Sequence, residues 1–117
     1  MIMPGVEIKV LVATKPVDFR KQIDGLAALV QDVLGENPWS GTIFVFRSKR
    51  ANRVKLLWWD GTGICLLVKR LESSQFRWPR IDDGVIPLTS AQLTTLLDGL
   101  EWGHMQHREV IRPSATQ

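Results

Sequence analysis

Tyrosine is missing from this 117-residue chain, cysteine occurs once and histidine twice. A single thiol, Cys65, excludes an internal disulfide and suits a reducing compartment. No apolar run approaches the ~20 residues that a bilayer-spanning helix requires. The first segment, Met1 to Leu11, contains acidic Glu7 and only a short apolar run. It lacks the basic start, long apolar core and small-residue cleavage pattern of a secretory signal. The expectation is a soluble, cytoplasmic protein. Gly61 and Gly63 have neither the helix nor the lysine that follow in a phosphate-binding loop, so nucleotide binding of that kind is excluded.

Carboxylates are present but scattered. Metal-dependent strand cleavage needs several of them converging on bound metal ions. Asp18 suits a helix cap, Asp60 a turn, and Asp24, Asp32 and Asp98 solvated helix faces. Cys65 sits in an apolar run, which suits a packed side chain better than a nucleophile. His104 and His107 have helical spacing, but no third ligand type stands nearby. No catalytic residue, metal site or cofactor is therefore assigned, and the chain is expected not to be an enzyme.

What remains is an ordinary globular composition, 44% hydrophobic and 23% charged, with an uneven distribution of charge. Residues 1–46 carry a net −1 and residues 81–117 a net −3. Between them, residues 47–80 carry a net +7, from Arg47, Lys49, Arg50, Arg53, Lys55, Lys69, Arg70, Arg77 and Arg80 against Asp60 and Glu72. Such a block favours an anionic partner.

The pattern of apolar residues predicts one α+β domain over 1–103, with a loose tail over 104–117. Val6–Ala13 reads as a strand. Phe19, Ile23, Leu26, Val30 and Leu34 recur at helical spacing, widened by Leu29 and Val33, which predicts a helix over 19–34 capped by Asp18. Gly35 and Pro38 end it. Thr42–Arg47, Arg53–Trp59 and Ile64–Leu71 read as strands, the last two joined through Asp60-Gly61-Thr62-Gly63. A short strand around Phe76–Trp78 extends the series. Thr89 with Gln92 has the capping-box spacing before a second helix through Leu93, Leu96, Leu97 and Leu100, ending near Trp102. The expected architecture is an antiparallel meander of four to five strands packed with two helices, in the order β-α-β-β-β-(β)-α.

Alternation separates Val54, Leu56 and Trp58, which should face the helices, from Arg53, Lys55, Leu57 and Trp59. With a two-residue turn at Asp60-Gly61, Ile64, Leu66, Val68 and Arg70 join the second, mixed face. The second helix or a partner must then cover it.

The run DFRKQIDGLAALV (Asp18–Val30) is followed by NPWSGTIFVFRSKRANRVKLLWWDGTGICLLVKRLE (Asn37–Glu72), FRWP (Phe76–Pro79) and LTSAQLTTLLDGLEW (Leu88–Trp102). In order and spacing these resemble the IS sixty-six family of Orf-two insertion-sequence proteins. The resemblance implies a bacterial accessory protein that acts beside a separate transposase of the same element, and it supplies no catalytic residue.

The basic loop Ser48–Asn52 is the best candidate for contact with DNA. A projecting basic hairpin can follow phosphates, and a β-ribbon can enter a major groove. The nucleic-acid-binding candidates are Arg47, Lys49, Arg50, Arg53, Lys55, Arg70 and Arg77, with Ser48 and Asn52 as added hydrogen-bonding groups. The simpler reading is a solubilising loop. Trp39, Trp59 and Trp78 are candidates for binding a protein partner, either the transposase or another copy of the chain. A pure adaptor of the transposase complex, without DNA contact, is the alternative function.

Overall fold

The computed structural model describes residues 8–78 and 84–98. Strand β1 (Val10–Ala13) leads into helix α1 (Ile23–Asp32). Then come β2 (Ile43–Arg47), β3 (Arg53–Trp59), β4 (Ile64–Arg70), β5 (Val85–Leu88) and helix α2 (Ser90–Leu97). The strands form one sheet in the order β4-β3-β2-β1-β5. The fold is α+β as expected, but the sheet is mixed and not a simple antiparallel meander. β1 pairs with β2 in parallel, because α1 carries the chain back across the sheet before β2 begins. β5 pairs antiparallel with β1.

The central strands are apolar on both sides, the pattern of a sheet covered on both faces. Leu11, Ala13, Phe44, Phe46 and Leu57 bury one face against Leu26, Ala27 and Val30 of α1. Val10, Val12, Ile43, Val45, Val54 and Leu56 bury the other against Leu93 and Leu96 of α2, with Phe76. Leu26 and Leu96 are fully buried. Burying such a side chain contributes about 1.5–3 kcal/mol.

Several expectations are corrected. α1 begins at Ile23, not Phe19, and Gln22 stands at its N-cap without a side-chain cap bond. Asp18 caps a separate turn instead, accepting from the backbone N–H of Arg20 at 3.0 Å. Val33 is exposed and does not widen the buried face. Gly35 takes the left-handed conformation that ends the helix, at φ 66°. The mixed face is covered by α1, not by α2, while Val54, Leu56 and Trp58 do face a helix, α2. The β3–β4 loop spans Asp60–Gly63, with Trp59 opposite Ile64. That is two residues longer than a two-residue turn, so the register moves but the facing does not. Phe76–Trp78 is not a strand; the last strand among the described residues is Val85–Leu88. The first strand begins at Val10 among the described residues. The Thr89 capping box is formed: its hydroxyl accepts from the Gln92 N–H at 3.0 Å and its own N–H donates to Gln92 Oε1 at 2.9 Å. Leu100, Trp102, His104, His107 and the proposed tail lie outside the described residues.

Candidate nucleic-acid interface

The basic residues gather because four chain segments reach the same end of the sheet. β2 ends there with Arg47, β3 begins with Arg53 and β4 ends with Arg70. The segment before Trp78 is fastened beside them: the Phe76 N–H donates to the Ala51 carbonyl at 2.6 Å, and Gln75 Nε2 to the Arg50 carbonyl at 2.8 Å. Phe76 is buried while Arg77 is exposed. Arg77 thus reaches solvent next to the β2–β3 loop.

That loop is turned by its own hydrogen bonds. The Ala51 N–H donates to the Ser48 carbonyl at 3.0 Å, and Ala51 itself holds φ 57°. Left-handed backbone is costly for alanine and persists only where surrounding bonds enforce it. Ser48 Oγ accepts from the Arg53 N–H at 3.2 Å and lies 3.3 Å from Asn52 Oδ1. Ser48 and Asn52 therefore brace the loop, while Lys49 and Arg50 project into solvent.

Arg53 and Arg70 are exposed and directly opposite each other in the register. Like charges across a strand pair are destabilising, a cost that a bound anion relieves. Arg70 also pairs with Glu72 at 3.0 Å, an exposed bond of small value. Arg47 is half-buried, with its guanidinium carbon 5.9 Å from the centre of the Trp78 ring. Burial lowers its pKa from the ordinary arginine value, and its Nε is buried without a hydrogen-bond partner among the described residues. Trp78 in turn donates from Nε1 to the Ala13 carbonyl at 3.0 Å. It clamps the 75–78 segment to the end of β1 and lies under Arg47.

Lys55 does not join this surface. It is 3% exposed, and its Nζ donates to the carbonyls of Phe19 and Lys21 at 2.8 and 2.7 Å. The ammonium also stands 4.6 Å from the Phe19 ring centre. Burial pushes its pKa down, opposed by the charge of Asp18. Lys55 is a strut that fixes the approach to α1. Lys69 is likewise spent within the fold, donating to the Leu97 carbonyl at the end of α2 at 2.6 Å.

Two cations that the charge pattern did not single out do reach this end. The Val17 N–H donates to the Arg47 carbonyl at 3.0 Å, which brings exposed Lys15 alongside. Lys21, exposed, is held by the Lys55 bond to its carbonyl. Both belong to the block of net negative charge, and only the parallel β1–β2 pairing carries them here. Neighbouring Arg20 is tied to Asp18 at 2.7 Å, which holds that carboxyl below the usual carboxylate range.

The three candidate tryptophans do not share a surface. Trp78 belongs to the basic end. Trp39 precedes β2 and Trp59 ends β3, so both lie at the opposite end of the sheet. Trp39 is 48% exposed and Trp59 half-buried.

No grouping of three His, Cys, Asp or Glu suited to a metal ion occurs among the described residues. Asp60 is occupied by its turn, accepting from the Thr62 and Gly63 N–H groups, both at 2.9 Å. The Cys65 thiol donates to Asp60 Oδ2 at 3.5 Å, and burial raises its pKa. A raised value is the reverse of what an activated thiolate needs. No helix among the described residues is long and apolar enough to cross a membrane.

Fold and surface define a small α+β protein with a cationic sheet end. The chain belongs to the family described as IS66 Orf2 like protein, whose model matches residues 8–107, a family of transposition-associated insertion-sequence accessory proteins. It is similar to two proteins of Sinorhizobium fredii, named uncharacterized protein y4jC and uncharacterized protein y4hO. Each is 41% identical over 114 residues, covering 97% of both chains. No solved structure matches.

Proposed function

We propose that this protein is a non-catalytic accessory factor of DNA transposition whose basic sheet end engages duplex phosphates. One observation carries the reading: Lys49, Arg50, Arg53, Arg70 and Arg77 are exposed together at one end of the sheet. Phosphate contacts of this kind position a protein on DNA without reading its sequence. Lys15 and Lys21 extend the surface, and Arg47 supports it from beneath through Trp78. Family membership supports the transposition role. Its place of action is then the cytoplasm, where the element's DNA and transposase meet.

The exposed Trp39 at the far end favours a second contact, with the transposase. Capture of the same element's transposase, with and without DNA carrying the terminal repeats, tests the scheme. Capture enhanced by that DNA, and lost when Lys49, Arg50, Arg53 and Arg77 become Gln, is the expected result. Capture that ignores DNA but is still lost in this variant identifies an adaptor whose basic end meets an acidic transposase surface. Failure to capture transposase under either condition overturns the accessory role proposed here.

A further inference from the structure

The two outer edges of the sheet are built differently. β5 is short, Val85–Leu88, and contains Pro87. Short length and proline are common means of keeping an edge strand from pairing with another chain. β4 has neither. Ile64–Arg70 runs in unbroken register along Arg53–Trp59, and among the described residues no strand pairs with its outer side. Leu67 and Val68 are 44% and 53% exposed, on opposite faces of the strand. Of its cations, Lys69 is turned in to the end of α2, and Arg70 stands exposed at the last position of the strand beside Glu72.

The hairpin also fixes which backbone groups point outward. The Asp60 N–H donates to the Gly63 carbonyl at one end, and the Leu71 N–H to the Asn52 carbonyl at the other. Antiparallel pairs alternate between hydrogen-bonded and non-hydrogen-bonded. From either end, Cys65, Leu67 and Lys69 turn their backbone groups toward β3. Ile64, Leu66, Val68 and Arg70 turn theirs to the open side.

We propose that β4 pairs with β4 of a second copy, antiparallel about a two-fold axis at Leu67. In that register Ile64 meets Arg70 of the second copy, Leu66 meets Val68, and Leu67 meets its twin. All outward backbone groups find partners, about eight hydrogen bonds in all. Moving the axis to Leu66 or Val68 leaves some of them unpaired. No cation faces a cation, since Arg70 lies opposite Ile64 and Lys69 opposite Cys65. Parallel pairing in register would instead set Lys69 on Lys69 and Arg70 on Arg70, which is unfavourable. The antiparallel contact is isologous, as a closed dimer requires. It joins the two sheets into one and points the two basic ends in opposite directions. Pairing through β4 requires no DNA.

The full chain should sediment as a dimer at micromolar concentration and dissociate on dilution. Leu67→Lys sets two ammonium groups face to face at the axis and should shift the midpoint at least about tenfold upward, with a far-ultraviolet spectrum like that of the wild type. Leu67→Cys in a Cys65→Ser background is a second test that needs no loss of binding. The residues of a non-hydrogen-bonded pair have Cα atoms about 4.5 Å apart, within disulfide reach. Mild oxidation should cross-link this variant and leave Val68→Cys in the same background largely uncross-linked. A monomer at all concentrations, with Ile64, Leu66 and Val68 amides protected from exchange, overturns the proposal, because the chain then covers its own edge. A monomer with those amides unprotected overturns it too. A dimer that tolerates Leu67→Lys and does not cross-link at 67 shows a different interface.

Discussion

Replacing Lys55 with Met tests whether this cation supports the fold or contacts a partner. Methionine keeps a buried unbranched stem and removes the ammonium. The loss is two charge-assisted hydrogen bonds, to the Phe19 and Lys21 carbonyls, and the contact with the Phe19 ring. Hydrogen bonds to charged groups contribute about 1.5–3 kcal/mol each. Against that gross loss of ~3–6 kcal/mol stands the relief of desolvation, which runs to several kcal/mol for a buried ion. The net expectation is a destabilisation of about 1–3 kcal/mol. For a domain of this size that lowers Tm by roughly 5–20 °C. Paired thermal melts and DNA titrations provide the assay. Lys55→Met should melt earlier and, while folded, bind DNA with the wild-type salt dependence. An unchanged Tm together with weakened DNA binding would refute the strut and return Lys55 to the interface.

Leu26→Ala and Leu96→Ala empty fully buried positions on opposite faces of the sheet and should each cost about 2–5 kcal/mol in denaturant unfolding. A cost below about 1 kcal/mol at either would contradict the two-faced core. Asp60 is held below the usual carboxylate range by the Thr62 and Gly63 N–H bonds, so its contribution to stability is present above its unfolded pKa and is lost only as pH falls through the folded value. Its carboxyl carbon should show no titration step near pH 4 by NMR; a step there would mean the turn bonds are not formed in solution. Supercoiled DNA incubated with the protein and magnesium or manganese should stay intact. Cleavage abolished by substituting one named carboxylate would overturn the non-catalytic reading.

Much of the fold was legible in local pattern. β3 matches its predicted bounds, and the Thr89–Gln92 capping box forms as its spacing indicates. Long-range pairing was not legible. Alternation within β1 and β2 reports only that both are buried, and nothing local states that they run parallel. β5 was missed because Val-Ile-Pro-Leu is short and carries a proline, acceptable only at an edge. Phe76 and Trp78 have strand-like residue types, but one is a buried anchor and the other a clamp on Ala13. The basic cluster was legible because hairpin neighbours are close in sequence. Lys55 was misread because alternation places a residue on a face without saying what covers it. Lys15 and Lys21 were missed because the chain reaches the site from a distant, acidic block.

The most direct test of the central claim is duplex affinity across a salt series. Each phosphate neutralised by a cation releases counterion, so log affinity falls with log salt by about 0.9 per contact. Changing Lys49, Arg50, Arg53 and Arg77 to Gln should shallow that slope by up to roughly 3.6 if each meets one phosphate. As surface changes they should move stability by no more than about 0.5 kcal/mol apiece. A slope identical to wild type, or no binding by the wild type at low salt, would contradict the account.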